Sequence, residues 1–143
     1  MEKKEILNFS NVTSTYSNGC GIFDISFSLS QSDMIFLMGP TGSGKSTLLK
    51  TIYKELDIDS GTVLVDGKDI SKFNKNKTSL LRREIGIIFQ DFRLLNDRTV
   101  WENISLPLKI AQKGKNEVNS KTHELIEAVG LNGKEKSFPE HLS

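Results

Sequence analysis

An α/β fold, with an antiparallel flap of strands ahead of a parallel core sheet, is predicted by three features of this 143-residue sequence. The first is a Gly-rich run, Gly39-Pro40-Thr41-Gly42-Ser43-Gly44-Lys45-Ser46-Thr47. It lies between an apolar stretch of strand length, Met34 to Met38, and a helical recurrence of Leu48, Leu49, Ile52, Tyr53 and Leu56. The second is the alternation of Phe23, Ile25, Phe27 and Leu29 with Asp24, Ser26 and Ser28, the period of a half-buried antiparallel strand. The third is another apolar stretch, Ile85 to Phe89, that reads as a buried strand and is followed by helical patterns.

The elements follow in order. Ile6 to Val12 predicts a strand, and Thr13 to Gly21 a polar turn in which Asn18-Gly19 is a hairpin signal. The alternating strand comes next, and Gln31-Ser32-Asp33 turns the chain into the buried strand 34–38. After the helix, Asp57 to Gly61 is a turn and Thr62 to Val65 a strand ended by Asp66-Gly67. Ser71 to Ser79, with Lys72, Lys75 and Lys77, reads as an exposed basic segment. Anionic lipid heads or nucleic acid would suit its charge, and a solvated loop is the plainer reading. Leu80 to Arg83 ends a short helix. Thr99 is placed to cap a helix, with Glu102 three residues on as its capping-box partner. Pro107 should kink or break the run 104–111. Glu117 to Val129 predicts an amphipathic helix with Val118, Leu125, Ile126 and Val129 inward and Gly130 as its stop.

Bulk properties narrow the function. There are 19 Lys and Arg against 18 Asp and Glu, so no general field favours nucleic acid, and none is expected as a partner. The one cysteine, Cys20, cannot form an internal disulfide, no apolar stretch approaches a membrane span, and no signal-peptide core follows the N-terminus. These point to the cytoplasm. His123 is expected on a wet helix face, and His141 has no partner at metal-cage spacing.

The Gly-rich run fits G-x-x-x-x-G-K-[ST]. Glycines let the backbone curl so that successive N–H groups face one concavity, and the helix start adds unpaired donors and a positive dipole end. Lys45 brings a cation to the outer phosphates, and Ser46 a hydroxyl for Mg²⁺. A nucleoside triphosphate site is the expectation. Two roles fit Tyr16 in the hairpin region: stacking on a base, or resting its ring on the flap. Two also fit Gln90, at the carboxyl end of the 85–89 strand: meeting Mg²⁺ or the attacking water, or facing solvent.

Three blocks in order resemble the front half of an ATP-binding-cassette (ABC) ATPase: Gly39 to Thr47, Ile85 to Gln90, and Phe138-Pro139-Glu140-His141-Leu142-Ser143, which is similar to the run entering that family's Leu-Ser-Gly-Gly-Gln signature. The resemblance covers nearly the whole chain. It implies one incomplete ATP-binding domain, with residues 1–90 as the α/β core and flap and 91–143 as the start of a helical subdomain. It implies ATP and Mg²⁺ as cofactors, with Tyr16 stacking on adenine and Gln90 sensing Mg²⁺ and the γ-phosphate. It also implies a pair of ATP-binding subunits and a polytopic membrane subunit that docks near Asp91 to Trp101, which places the chain on the inner face of the cell membrane. The run Phe89 to Asn103 is similar to the cell-division branch of the family; the lipoprotein-releasing and macrolide-export branches share the framework. The chain departs from the pattern at Ser32-Asp33, where Gly-Glu is common, and around Lys54-Glu55, where the family often has Gly.

The family's acidic Mg²⁺-holding strand, catalytic Glu and switch His are expected beyond Ser143. Hydrolysis is therefore expected of the complete protein rather than of this stretch. The 34–38 strand is expected to lack a neighbour on one side and to leave apolar surface bare, making the isolated chain prone to aggregate. The competing reading is a phosphate-loop kinase or GTPase, but Asn74-Lys75-Asn76-Lys77 lacks the Asp of a guanine-reading Asn-Lys-x-Asp.

Overall fold

A computed structural model describes residues 3–142. They form two compact units that meet in sequence at Ile85 and Gly86. The first is built on a four-stranded antiparallel sheet of order β2-β1-β3-β4. Strands β1 (Glu5–Thr15) and β2 (Gly21–Ser30) are the hairpin read from Asn18-Gly19, and its turn closes by hydrogen bonds between Tyr16 and Cys20 and from the Gly19 amide to the Tyr16 carbonyl. Strand β3 (Ser60–Val65) pairs with the other edge of β1, and the two-residue β4 (Lys68–Asp69) folds back through Asp66-Gly67.

The alternation of β2 survives only in part. Ile25, Phe27 and Leu29 pack against the core, and the Phe27 ring stacks on that of buried Phe9 with centroids 4.8 Å apart. Phe23, expected on the same face, is 59% exposed, and Ile22 is buried instead. Two compensating bulges cause this: Asn11 is an extra residue on β1 and Asp24 one on β2, both at positive φ. Side chains tie the bulges together, with Asn11 Nδ2 donating to Asp24 Oδ1 at 2.8 Å and the Asp24 amide to Thr13 Oγ1 at 3.2 Å. Each extra residue shifts the side-chain period of its own strand by one, so beyond Asp24 strand β2 turns Ile22 rather than Phe23 to the core, while the two extra residues offset each other in the pairing.

Helix α1 (Lys45–Ile52) follows the Gly-rich run, and Leu48 joins the core formed by Leu7, Phe9, Val12, Ile22, Val63, Ile70 and Leu81. Helix α2 (Lys75–Glu84) takes up most of the segment expected to be a basic loop. Its N-cap is Asn74, whose side chain accepts from the Lys77 amide, and Leu81 is its one buried residue.

The two expected parallel strands are corrections. Residues 34–38 and 85–89 belong to no strand ladder among the described residues. Met34, Phe36 and Met38 are 77%, 78% and 90% exposed, and Ile88 is 99% exposed. A parallel strand takes its backbone hydrogen bonds from neighbours on both sides. The expectation that 34–38 would lack one neighbour understates the result: it is paired on neither side. Its apolar surface is bare, as expected.

In the second unit, α3 (Val100–Ile110) starts with the capping box read from the sequence: Thr99 Oγ1 accepts from the Glu102 amide, and Glu102 Oε2 accepts from the Thr99 amide at 2.9 Å. The helix continues three residues past Pro107, which does not break it. Helix α4 (Lys115–Ala128) buries Val118, Thr122 and Ile126, while Leu125 and Val129, expected inward, are 38% and 62% exposed. Buried Thr122 and Ser105 satisfy their hydroxyls on the carbonyls of Val118 and Glu102 in their own helices. Gly130 ends α4 at φ 72°, with the Leu131 amide reaching Ile126 O and the Gly130 amide reaching Glu127 O, a Schellman stop. His123 is exposed, as expected, and its ring meets the Trp101 ring edge-on at 4.6 Å. No helix among the described residues is long and apolar enough to cross a membrane.

Candidate functional site

The site is the turn from Gly39 into α1. The backbone enters α1 through Gly44 at φ 89°, a left-handed conformation, after Gly42 at φ 86°. Glycine is required at 44 on two grounds. An L side chain is strained at that φ, and a Cβ there would lie 2.7 Å from Ile22 Cγ2 and 3.3 Å from Gly21 O. The start of β2 thus supports the loop from beneath, a contact that strand and loop patterns do not reveal because it joins residues far apart in sequence.

Within the loop the Ser43 amide donates to Pro40 O at 3.2 Å, and the Leu48 amide makes the first helical bond, to Gly44 O, at 2.9 Å. The amides of Gly42, Gly44, Lys45, Ser46 and Thr47 have no acceptor among the described residues, and no side chain caps α1. These are the orphan donors of a helix start, with the positive dipole end behind them. Lys45 Nζ folds back onto the same loop. It donates to the carbonyls of Gly39 at 2.7 Å and Pro40 at 2.8 Å and to Ser43 Oγ at 3.2 Å. Residues 39–43 and Ser46 are exposed, and the Ser46 hydroxyl makes no hydrogen bond with the described residues. Thr47 is 7% exposed and faces the core.

A polyphosphate with Mg²⁺ fits this donor set on the structure's own terms. Five unspent amides and an ammonium offer only positive charge, no carboxylate among the described residues pairs with Lys45, and a hard hydroxyl oxygen is free at Ser46 for a hard cation. Among the described residues no cluster of three His, Cys, Asp or Glu could hold a metal alone. An Mg²⁺ here would therefore depend on Ser46 and the phosphates.

Tyr16 lies at the closed end of the β1–β2 hairpin, 37% exposed. Its phenol is near enough to Lys50 of α1 to act on it electrostatically. The Lys50 ammonium is held above the usual lysine range first by its bond to Glu55, 3.2 Å away, and next by Tyr16. Gln90 is an exposed residue of the second unit, directly after the unpaired 85–89 segment. Beside it the Arg93 guanidinium stacks on the Phe89 ring at 3.8 Å, with Phe92 and Arg93 both at positive φ.

Sequence reasoning missed Arg82. Its guanidinium reaches back to the far end of α1, with Nε donating to Tyr53 O at 2.9 Å and a terminal nitrogen to Lys54 O at 2.8 Å. It thereby caps the helix that carries Lys45. No local pattern signals a bond spanning 29 residues.

Solved structures with this fold are ATP-binding cassettes. The dimeric cassette MJ0796, in a post-hydrolysis state bound to ADP and Pi, superposes with a TM-score of 0.84 at 28% identity, covering 96% of this chain and 63% of that one. CbiO1 from Clostridium perfringens, part of the ABC transporter complex cbiONQ, superposes with a TM-score of 0.81 at 25% identity over 99% of this chain and 57% of its own. The family model described as "ABC transporter" matches residues 22–143, and the chain belongs to that family. Among curated relatives, the cell division ATP-binding protein FtsE of Streptococcus pneumoniae is 34% identical over 96% of this chain and 60% of its own length. The methionine import ATP-binding protein MetN 1 of Bacillus thuringiensis is 37% identical over 96% of this chain and 42% of its own. The chain thus spans less than two thirds of the length of these relatives, and the two curated ones match it about equally well.

Proposed function

We propose that this chain is the ATP-binding part of a cassette subunit that drives a membrane complex, and that the complete protein hydrolyses ATP. The observation that carries the reading is the set of five unspent amides that opens α1, next to a loop onto which the Lys45 ammonium is folded. Residues 39–47 would cradle the phosphates, Lys45 would neutralise the outer ones, Ser46 and Gln90 would hold Mg²⁺, and Tyr16 would stack on adenine. When bound, Mg·ATP supplies a phosphoanhydride bond and a divalent charge; this chain's residues bind and orient it.

Two such subunits would pair, and a membrane subunit would dock near residues 91–101, holding the chain at the inner face of the cell membrane. The similarity of Phe89 to Asn103 to the cell-division branch favours a partner of FtsX type and a regulatory pull on it rather than transport. A second reading, the ATPase of a solute importer, is favoured by the 37% identity to MetN 1. Co-purification of the complete protein from its own cells separates them: a four-span protein with a large external loop supports the first, and a solute permease the second.

Equilibrium binding of Mg·ATP, with GTP as competitor, tests the site. Lys45→Ala should weaken binding by about 1.5–3 kcal/mol, the worth of hydrogen bonds to a charged group. Unchanged affinity, or a preference for GTP, would contradict the reading.

A further inference from the structure

The lysines and arginines of the first unit are not evenly engaged. Lys3, Lys4, Lys50, Lys54 and Lys72 pair with Asp33, Asp66, Glu55, Asp57 and Asp69. Lys45 is taken up by the loop and Arg82 by the carbonyls of Tyr53 and Lys54. Every cation of this unit left without a carboxylate or carbonyl partner among the described residues falls between Lys68 and Arg83: Lys68 itself, then Lys75, Lys77 and Arg83 on α2. That stretch holds six Lys and Arg and one Asp, in a chain whose charges as a whole nearly cancel.

Helix geometry gathers these charges. Lys75, Ser79 and Arg83, spaced four apart, form one stripe, and Asn76 and Leu80 form the next. Both stripes face away from buried Leu81, and all five residues are exposed. Leu80 is 55% exposed at one edge of this face, and Glu84, next on its stripe, is the one carboxylate on the helix. Lys77 flanks the face, with its ammonium 5.8 Å from the Phe73 ring.

We propose that the outer face of α2 is a docking surface for an anionic lipid bilayer, with Lys75, Lys77 and Arg83 at the headgroups and Leu80 entering the acyl boundary. Cations on either side of a protruding leucine suit an anionic membrane surface, where the charges meet the headgroups and the leucine the boundary beneath them. Single-stranded nucleic acid suits the face less well, because α2 carries no aromatic residue for a base to stack on. The surface is separate from the Gly39–Thr47 loop, and the proposal does not depend on nucleotide binding.

Flotation of the chain with vesicles, without nucleotide, tests it. The chain should float with equal parts phosphatidylcholine and phosphatidylglycerol and stay behind with phosphatidylcholine alone. The triple variant K75Q/K77Q/R83Q should bind about a hundredfold more weakly, roughly fivefold for each cation removed. Leu80→Ser should weaken binding several-fold while leaving its salt dependence unchanged. Inorganic phosphate at matched ionic strength should not release the chain. Equal flotation on phosphatidylcholine, wild-type binding by the triple variant, release by free phosphate, or tighter binding to an oligonucleotide of equal charge would each overturn the proposal. None of these outcomes bears on whether Lys45 binds ATP.

Discussion

Lys45 Nζ and the Gly39 carbonyl oxygen, six residues apart in sequence, are joined by a 2.7 Å hydrogen bond. With the bonds to Pro40 and Ser43, all three ammonium protons are directed into the loop that the side chain itself follows. The lysine therefore both pins the loop's curl and supplies its charge.

Substitutions at Lys45 should separate these roles. Lys45→Met should weaken Mg·ATP binding and also speed amide exchange across residues 39–44. Lys45→Arg keeps the charge but presents a planar fork instead of three radiating donors, so it should not restore tight binding. Titration calorimetry and exchange mass spectrometry on the two variants check this.

Glycine substitutions should rank by what their Cβ meets. Gly61, at φ 86°, would place a Cβ 2.4 Å from the carbonyl oxygen of the bulged Asn11, and Gly44 would place one 2.7 Å from Ile22. Gly19, at φ 80° in the hairpin turn, would meet nothing within 4 Å. Gly19→Ala should cost about 1 kcal/mol, the left-handed strain alone, and Gly61→Ala and Gly44→Ala clearly more. Urea midpoints give the order; equal losses at all three would refute it.

Both departures from the family pattern fall on left-handed residues. Ser32 has φ 68° and Lys54 has φ 54°. Glycine, which adopts this conformation without strain, would have a backbone reason at each. Ser32 is exposed, so Ser32→Gly should stabilise the chain by about 0.5–1 kcal/mol through relief of strain. Lys54 has a counterweight: its side chain is only 12% exposed and pairs with Asp57 at 2.7 Å. A destabilised Ser32→Gly variant, measured by urea unfolding, would contradict the explanation.

Local signals were legible where the chain itself completes the interaction. Asn18-Gly19 gave the hairpin, Thr99 with Glu102 the start of α3, and Gly130 the end of α4. Phe23 was misassigned because the bulge at Asp24 moves the period of β2, and nothing in an alternating run marks an extra residue. Helix α2 was read only at its Leu80 to Arg83 end, because Leu81 is its one buried side chain and the Asn74 cap is the one signal of its start. Residues 34–38 and 85–89 read as strands from composition, but strand structure needs a partner and they have none among the described residues. At the site, the turn from the Gly-rich run into α1 was legible, while its supports, Ile22 beneath Gly44 and Arg82 behind Tyr53, are long-range contacts.

The capping box predicts an acid sensitivity in the second unit. The Glu102 carboxylate is held below its ordinary range, first by the Thr99 amide and also by the Thr99 hydroxyl and Arg98. A lowered carboxyl pKa contributes stability above the unfolded-state value, lost as pH falls through the folded-state value. Protection of α3 against exchange should therefore decline as pH falls below the usual glutamate range, and Glu102→Gln should flatten that decline. Thr99→Ala should cost about 1 kcal/mol at neutral pH.

The central claim is that the amides opening α1 grip a polyphosphate. The direct measurement is the backbone amide spectrum of the isotopically labelled chain, titrated with Mg·ATP. The account predicts that Gly42 and Gly44 to Thr47 shift together and saturably, and that Lys45→Ala suppresses the shifts. ATP binding that leaves these five amides unmoved, or shifts them equally in Lys45→Ala, would contradict it.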